Sequence, residues 1–224
     1  MPKQWRGPCV CHHVVCHAVR YEYVSPSRAR KWGANDLDAA MLCAAFNGRI
    51  KFVKLCREWG ASDFDGSMWN ATLQGHIEIV KLCKKWGASN FDEVMLCAAE
   101  HGYIEIVKLC KEWGVHEFNE AMRLAASVGH VEIVKLCKEW GAGDLNEVMC
   151  YAAEHGYIEI VKLCKEWGAD EIDDAMCDAA LGGHIEIVKM CKEWGAKDFV
   201  NAIYIATCCG HGNIVVMCKK WKGQ

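Results

Sequence analysis

Long apolar runs are missing from this 224-residue chain. No window approaches the 18 or so apolar residues that a membrane span requires. The first residues, MPKQWRGPCVCHHVVCHAV, also lack the uninterrupted apolar stretch of a secretory signal. Neither membrane insertion nor export is expected, so the chain reads as an intracellular, cytoplasmic protein. A basic stripe is missing too, since 26 Lys+Arg stand against 29 Asp+Glu for a formal net charge of -3. Phosphate backbones are bound by clustered cations that displace counterions, which leaves nucleic acid an unexpected partner. There is no glycine-rich phosphate loop and no nucleophile set beside a base on a strained turn. Glutamates and lysines abound, but at repeating exposed helical positions, the pattern of a solvated face. On these grounds neither enzyme activity nor a cofactor is expected.

What the chain has is a period. Trp32, Trp59, Trp86, Trp113, Trp140, Trp167, Trp194 and Trp221 follow one another at intervals of 27 residues. Self-similarity of that length marks a solenoid, in which each copy buries its apolar face only against its neighbours. Residues 33–221 divide into seven copies without insertion or deletion, so every loop has one length. Residues 1–32 read as a worn capping repeat and 222–224 as a short tail. In the cap, Pro26 stands where the second helix of the next copy has Val53, which must shorten or break that helix. Stacked repeats share one growing core, so a single domain is expected.

Within a copy, two helices follow from the pattern. In the third copy the first spans 92–101, with Phe91, Met95, Ala98 and Ala99 at the spacing of one helical face. Asp36 or Asp38, Asp63 or Asp65, and Asp144 or Asn146 stand where a side chain can cap the first turn. Phe64, Phe91, Phe118 and Phe199 precede that turn in the position of a hydrophobic staple. A glycine then breaks the chain once per copy, as at Gly48, Gly102 and Gly129. The second helix spans 104–113, with Ile104, Val107, Leu109, Cys110 and Trp113 directed to the core and Glu105, Lys108, Lys111 and Glu112 to water. Glycine after each tryptophan through Gly195 supplies the left-handed residue that commonly ends a helix. In the last copy Gly212 and Asn213 replace the usual isoleucine and glutamate, so its second helix is expected to start late.

The segments GHIEIVKLCKKWGA (75–88) and GHIEIVKMCKEWGA (183–196) resemble the second helix of an ankyrin repeat, and the alanine pair Ala98 and Ala99 resembles the end of its first helix. The likeness covers all seven copies. The family's TPLH turn is absent, and 27 residues is six short of the family's 33, the shortfall lying where ankyrin repeats project a β-hairpin finger. The resemblance implies an all-α, hairpin-less α-solenoid of stacked helix-turn-helix repeats, similar to repeat proteins abundant in giant DNA viruses. It also implies that the first helices line a concave side.

Sixteen cysteines raise metal and redox chemistry. Seven of them, Cys56, Cys83, Cys110, Cys137, Cys164, Cys191 and Cys218, form a column in the second helix. Helices pack roughly 8 to 10 Å apart, whereas a disulfide needs α-carbons within about 7 Å, so the column reads as free thiols packing as small hydrophobes. A denser group of soft ligands, Cys9, Cys11, His13, Cys16 and His17, is the one metal candidate, yet it lacks the second spaced couple of a zinc site. His76, His130, His184 and His211 follow the glycine turns and read as structural.

A regular scaffold varies only where stacking does not dictate the residue. Two such sets stand out. One is Leu42, Trp69, Leu96, Arg123, Cys150, Cys177 and Tyr204, with the adjacent Asn70, Cys97, Tyr151 and Asp178. The other includes Phe46, Glu100, Glu154 and Cys208 at the first-helix exit. Tryptophan, tyrosine and arginine dominate interface energies, so these positions are the candidate partner-binding surface. The expected function is a noncatalytic, monomeric protein-interaction scaffold for a host or viral protein. The alternatives are a self-assembling structural repeat protein and an N-terminal metal-binding module.

Overall fold

The computed structural model describes residues 37–223, which contain fourteen α-helices and no strand. Each repeat contributes a first and a second helix. The pairs are α1 (Leu37–Phe46) with α2 (Ile50–Glu58), α3 (Phe64–Thr72) with α4 (Ile77–Trp86), α5 (Phe91–Glu100) with α6 (Ile104–Glu112), and α7 (Phe118–Val128) with α8 (Val131–Glu139). They continue with α9 (Leu145–His155) and α10 (Ile158–Glu166), α11 (Ile172–Gly182) and α12 (Ile185–Glu193), and α13 (Phe199–Cys208) and α14 (Gly212–Lys222). The array divides into two compact units, one of residues 37–98 with 105–115 and the other of 99–104 with 116–223. Each unit is an α-solenoid of stacked helical pairs. The expected cap and the Cys9, Cys11, His13, Cys16 and His17 cluster lie outside the described residues.

Residue size sets how the pairs stack. Within each unit successive first helices meet along their length, whereas successive second helices touch at few points. The close seam is built from fully buried alanines, Ala44 and Ala45 in the first unit and Ala125, Ala126, Ala152 and Ala153 in the second. Their single methyl groups let backbones approach. Methionines fill the depth behind them, with Met41, Met68, Met122, Met149 and Met176 at zero exposure. In the second helices the buried positions are an Ile–Val–Cys triplet such as Ile106, Val107 and Cys110 or Ile133, Val134 and Cys137. Each large aliphatic side chain buried in this way contributes about 1.5–3 kcal/mol. Ile104 and Leu109, expected in the core, are only half-buried, because Ile106 occupies that face. Two buried hydroxyls interrupt the apolar seam in α3, and both donate to carbonyls one turn back, Ser67 to Asp63 at 2.8 Å and Thr72 to Met68 at 2.9 Å.

Two side-chain latches join successive repeats. In the first, a histidine at the start of a second helix donates from Nε2 to a carbonyl near the end of the preceding repeat's first helix. His76 bonds Phe46 O at 3.1 Å, His130 bonds Glu100 O at 3.1 Å, His184 bonds Glu154 O at 2.9 Å and His211 bonds Leu181 O at 2.9 Å. The ring closes over the turn glycine. A Cβ at Gly102, which sits at φ +78°, would lie 2.6 Å from the His130 ring, so glycine is required there for space as well as for its left-handed backbone. The histidines are therefore structural, as their turn position suggested.

The second latch corrects the expected capping. Asp63 does cap its own helix, accepting from Gly66 N at 2.9 Å, but Asp144 makes no such bond. Asp38, Asp65 and Asn146 reach forward into the next repeat's loop instead. Asp38 accepts from the amides of Ser62 and Asp63 at 2.6 and 2.9 Å, and Asp65 from Ser89 and Asn90 at 2.7 and 2.9 Å. Asn119, Asn146 and Asp173 do the same in the second unit. The last repeat has Val200 in this column and exposes it.

The periodic tryptophans from Trp59 to Trp221 are half-buried rather than core residues. Each phenylalanine of the expected staple is the first residue of its helix and packs on the tryptophan that closes the same repeat. Ring centroids are 5.7 Å apart for Phe64–Trp86, 5.0 Å for Phe91–Trp113 and 5.5 Å for Phe118–Trp140. A cation from the preceding repeat covers the other side of the indole, with Arg57 4.8 Å from Trp86 and Lys84 4.4 Å from Trp113. The indole period is thus a surface ladder of aromatic and cation–π contacts, each worth about 0.5–1 kcal/mol where exposed. The final second helix also departs from expectation. It begins at Gly212, in register with Ile104 and Ile185, because the His211 latch sets its start.

Removing a latch tests this account. His130→Ala is expected to destabilise the chain by about 1–2 kcal/mol through the lost hydrogen bond and ring packing, and Asn119→Ala by less, since its partner amide reaches water. Urea unfolding followed by circular dichroism measures both, and an unchanged midpoint for His130→Ala would remove the latch from the account.

Candidate functional site

The variable positions sit on the first helices, and the two units present different chemistry there. In the first unit the surface is apolar. Trp69 and Phe46 are exposed and Leu42 and Leu96 half-buried. Asn70 is half-buried and donates from Nδ2 to Gly66 O at 2.9 Å, which turns its amide back onto its own helix.

In the second unit the surface is charged. Glu100 and Tyr204 are exposed, and Arg123, Tyr151, Glu154 and Asp178 are half-buried. Arg123 is held on two sides. Its Nε donates to Glu120 Oε2 at 2.8 Å and its Nη2 to Glu120 Oε1, while the guanidinium carbon lies 4.9 Å from the Tyr151 ring of the next repeat. The hydrogen bond from Arg123 holds the Glu120 carboxyl below the usual carboxylate range, and the same bond raises the guanidinium further above its ordinary value. Arg123 and Tyr151 therefore bridge two repeats as well as facing outward.

Farther along, carboxylates gather without cations. Burial pushes the Asp178 carboxyl above its ordinary value and Glu154 and Asp174 push it the same way, against a hydrogen bond from the Cys150 thiol that lowers it. Burial also pushes the Cys150 thiol up, with Asp178 adding to the shift. Among the described residues no ion pair reaches Glu147, Glu154, Asp174 or Asp178. Glu120, Glu147 and Asp174 were not singled out from sequence. Their signal was present, since that column changes from Ala39 and Gly66 to Glu93, Glu120, Glu147, Asp174 and Asn201. It was hidden by the adjacent, nearly invariant latch column.

Two members of the expected set are core residues. Cys97 and Cys177 are buried, because thiols there complete the seam between first helices, and they offer nothing to a partner. All seven thiols of the second-helix column have zero exposure and none is in a disulfide. Burial pushes six of them, Cys56, Cys83, Cys110, Cys137, Cys164 and Cys191, up to about 12. Among the described residues no group of three or more histidine, cysteine or acidic side chains is placed to hold a metal ion, and no helix is long and apolar enough to cross a membrane.

No protein-family model matches the chain, and no curated protein matches it either.

The thiol environments separate sharply. Cys208 and Cys209 are exposed at the exit of α13, whereas the second-helix column is buried and protonated. Alkylation at about pH 8 followed by peptide mass mapping is expected to modify Cys208 and Cys209 at least about a hundredfold faster than Cys137, since the thiolate is the nucleophile. Comparable rates at Cys137 would contradict the burial described here.

Proposed function

We propose that this chain is a noncatalytic protein-binding scaffold that engages its partner through the outward-facing columns of its first helices. One observation carries the reading. Columns of the alanine seam and of the Ile–Val–Cys layer hold nearly the same residue in every repeat, whereas the columns of Trp69, Arg123, Tyr151, Asp178 and Tyr204 change from repeat to repeat and, Cys97 and Cys177 apart, remain at least partly exposed. A surface free of stacking duty, set on a backbone of fixed period, binds by rigid complementarity and loses little entropy on ordering. The helical pair and its GHIEIVKLCKKWGA-type second helix support kinship with ankyrin repeats, and with the hairpin-less repeat proteins of giant DNA viruses. Free buried thiols suit a reducing, cytoplasmic setting.

A second reading, end-on self-association, is favoured by the last repeat. Val200, Tyr204 and Val216 are 58%, 68% and 71% exposed, and Val216 takes the place of a lysine found in the other second helices. Exposed apolar side chains on this repeat can meet another copy.

Affinity capture with the full chain and with Trp69→Ala, Arg123→Ala and Tyr151→Ala tests the scaffold. A specific partner is expected to be lost from at least one variant, since truncating an interface anchor typically costs more than about 1 kcal/mol. Undiminished capture by all three folded variants would remove the first-helix surface from consideration. Light scattering over a range of concentrations separates the two readings: the scaffold is expected to stay monomeric, and growth with concentration would favour end-on assembly.

A further inference from the structure

Among the described residues the last repeat has a neighbouring repeat on one side only, so its forward side, where earlier repeats meet their successors, lies open. Three columns that are buried elsewhere lose their cover there. Ile203 is half-buried where Met149 and Met176 have zero exposure, Val215 is half-buried where Val161 and Val188 have none, and Thr207 is exposed where Ala153 and Ala180 are fully enclosed. Tyr204, beside them on α13, is 68% exposed. Loss of cover by itself is what any last repeat shows.

The chemistry of this face is what differs. Two columns of the scaffold send polar groups forward: Asp173 accepts the amides of Lys197 and Asp198 in the following repeat at 2.6 and 2.8 Å, and Lys135 reaches Glu159 of the following repeat at 3.2 Å. In the last repeat both columns hold valine, Val200 at 58% exposure and Val216 at 71%. The outer face of a terminal repeat is ordinarily polar, which keeps a stack soluble. Two replacements in the apolar direction therefore mark a face that something covers. A further repeat of the same kind does not suit it, because its loop amides would meet Val200 and stay unpaired, which is costly once they are buried. A charged partner does not suit it either, since α13 alone among the first helices described carries no acidic or basic side chain.

We infer that two copies of this chain join about a two-fold axis through this forward face, with Val200, Ile203, Tyr204, Thr207, Val215 and Val216 of one copy against the same residues of the other. A two-fold contact sets one patch against itself. Charged columns of the kind found on the other first helices would then oppose their own copies, and α13 brings no charge to the contact. Tyr204 supplies an exposed ring of the type that anchors interfaces, and the two valines widen the apolar area around it. The inference rests on the reading of end-on self-association and fixes its mode. A two-fold contact closes at two copies, whereas head-to-tail stacking would go on adding copies.

Sedimentation velocity of the full chain over a range of concentrations tests it, with a thiol reductant present so that the exposed Cys208 and Cys209 do not link copies. The mass is expected to rise from one chain to two and no further. Val200→Asp and Val216→Lys each restore the residue type that Asp173 and Lys189 hold one repeat earlier. Both variants are expected to keep the circular dichroism of the parent and to weaken the dimer by at least about tenfold. Ile158→Asp makes the same change of charge as Val200→Asp at a side chain 37% exposed two repeats before the last, and is expected to leave the dimer intact. Should one valine variant fail to fold, the other decides. A single-chain mass at every concentration overturns the inference together with end-on self-association, and leaves the face to a different protein. Growth past two copies keeps end-on self-association and overturns the two-fold contact. A dimer that either folded valine variant retains undiminished, or that Ile158→Asp weakens equally, places the contact elsewhere on the chain and overturns the inference.

Discussion

The close approach of first helices along their alanine seam is the constraint from which the rest of each unit follows. Ala125 and Ala126, or Ala152 and Ala153, present one methyl group each, so the backbones come nearer there than the Ile–Val–Cys layer allows between second helices. Nearness at the first-helix ends puts the turn of one repeat within reach of the next, and only then can His130 meet Glu100 O or Asn119 meet Gly143 N. The latches in turn hold the period. A longer turn would carry the histidine away from its carbonyl, and a side chain at Gly102 would enter the imidazole ring.

That constraint decides which positions are free. A first helix spends one face on the seam, its N-terminal edge on the forward latch and its exit on the histidine. What remains is a narrow strip, and its residues are the ones that vary. Part of the strip still serves the stack: Cys177 is buried in the seam, and Arg123 ties two repeats together through Tyr151. Variability in sequence therefore marks a residue released from the common pattern, which is a wider class than residues facing a partner.

Much of the fold was legible because its signals are periodic. The 27-residue interval announced stacked helical pairs, the glycine positions announced the turns, and the cysteine column proved to be buried free thiols. Legibility ended where a periodic residue has two physical explanations. A recurring tryptophan reads as core from sequence, yet the rings lie half-buried between a phenylalanine and a cation of the preceding repeat, a contact between residues far apart along the chain. Aspartates near a helix start read as caps, yet Asp38 and Asp65 accept amides 24 and 25 residues ahead. The acid column of Glu120, Glu147 and Asp174 escaped notice for the same reason, since its meaning depends on which side chain stands across the groove in the following repeat.

The two kinds of helix carry charge differently. On the second helices glutamate and lysine alternate at three- and four-residue spacings, so several charges find an opposite within their own helix or the next, as in the 3.1 Å pair of Lys108 with Glu105. Such pairs contribute little stability, but they leave the surface neutral in patches and poorly suited to attract a charged ligand. Among the described residues the first helices carry no lysine or arginine except Arg123. In the repeat after Arg123 the equivalent residue is Cys150, whose thiol donates a hydrogen bond to Asp178. Burial and the neighbouring Glu154 and Asp174 disfavour the ionised form of Asp178 in the fold, so its charge opposes folding near neutral pH.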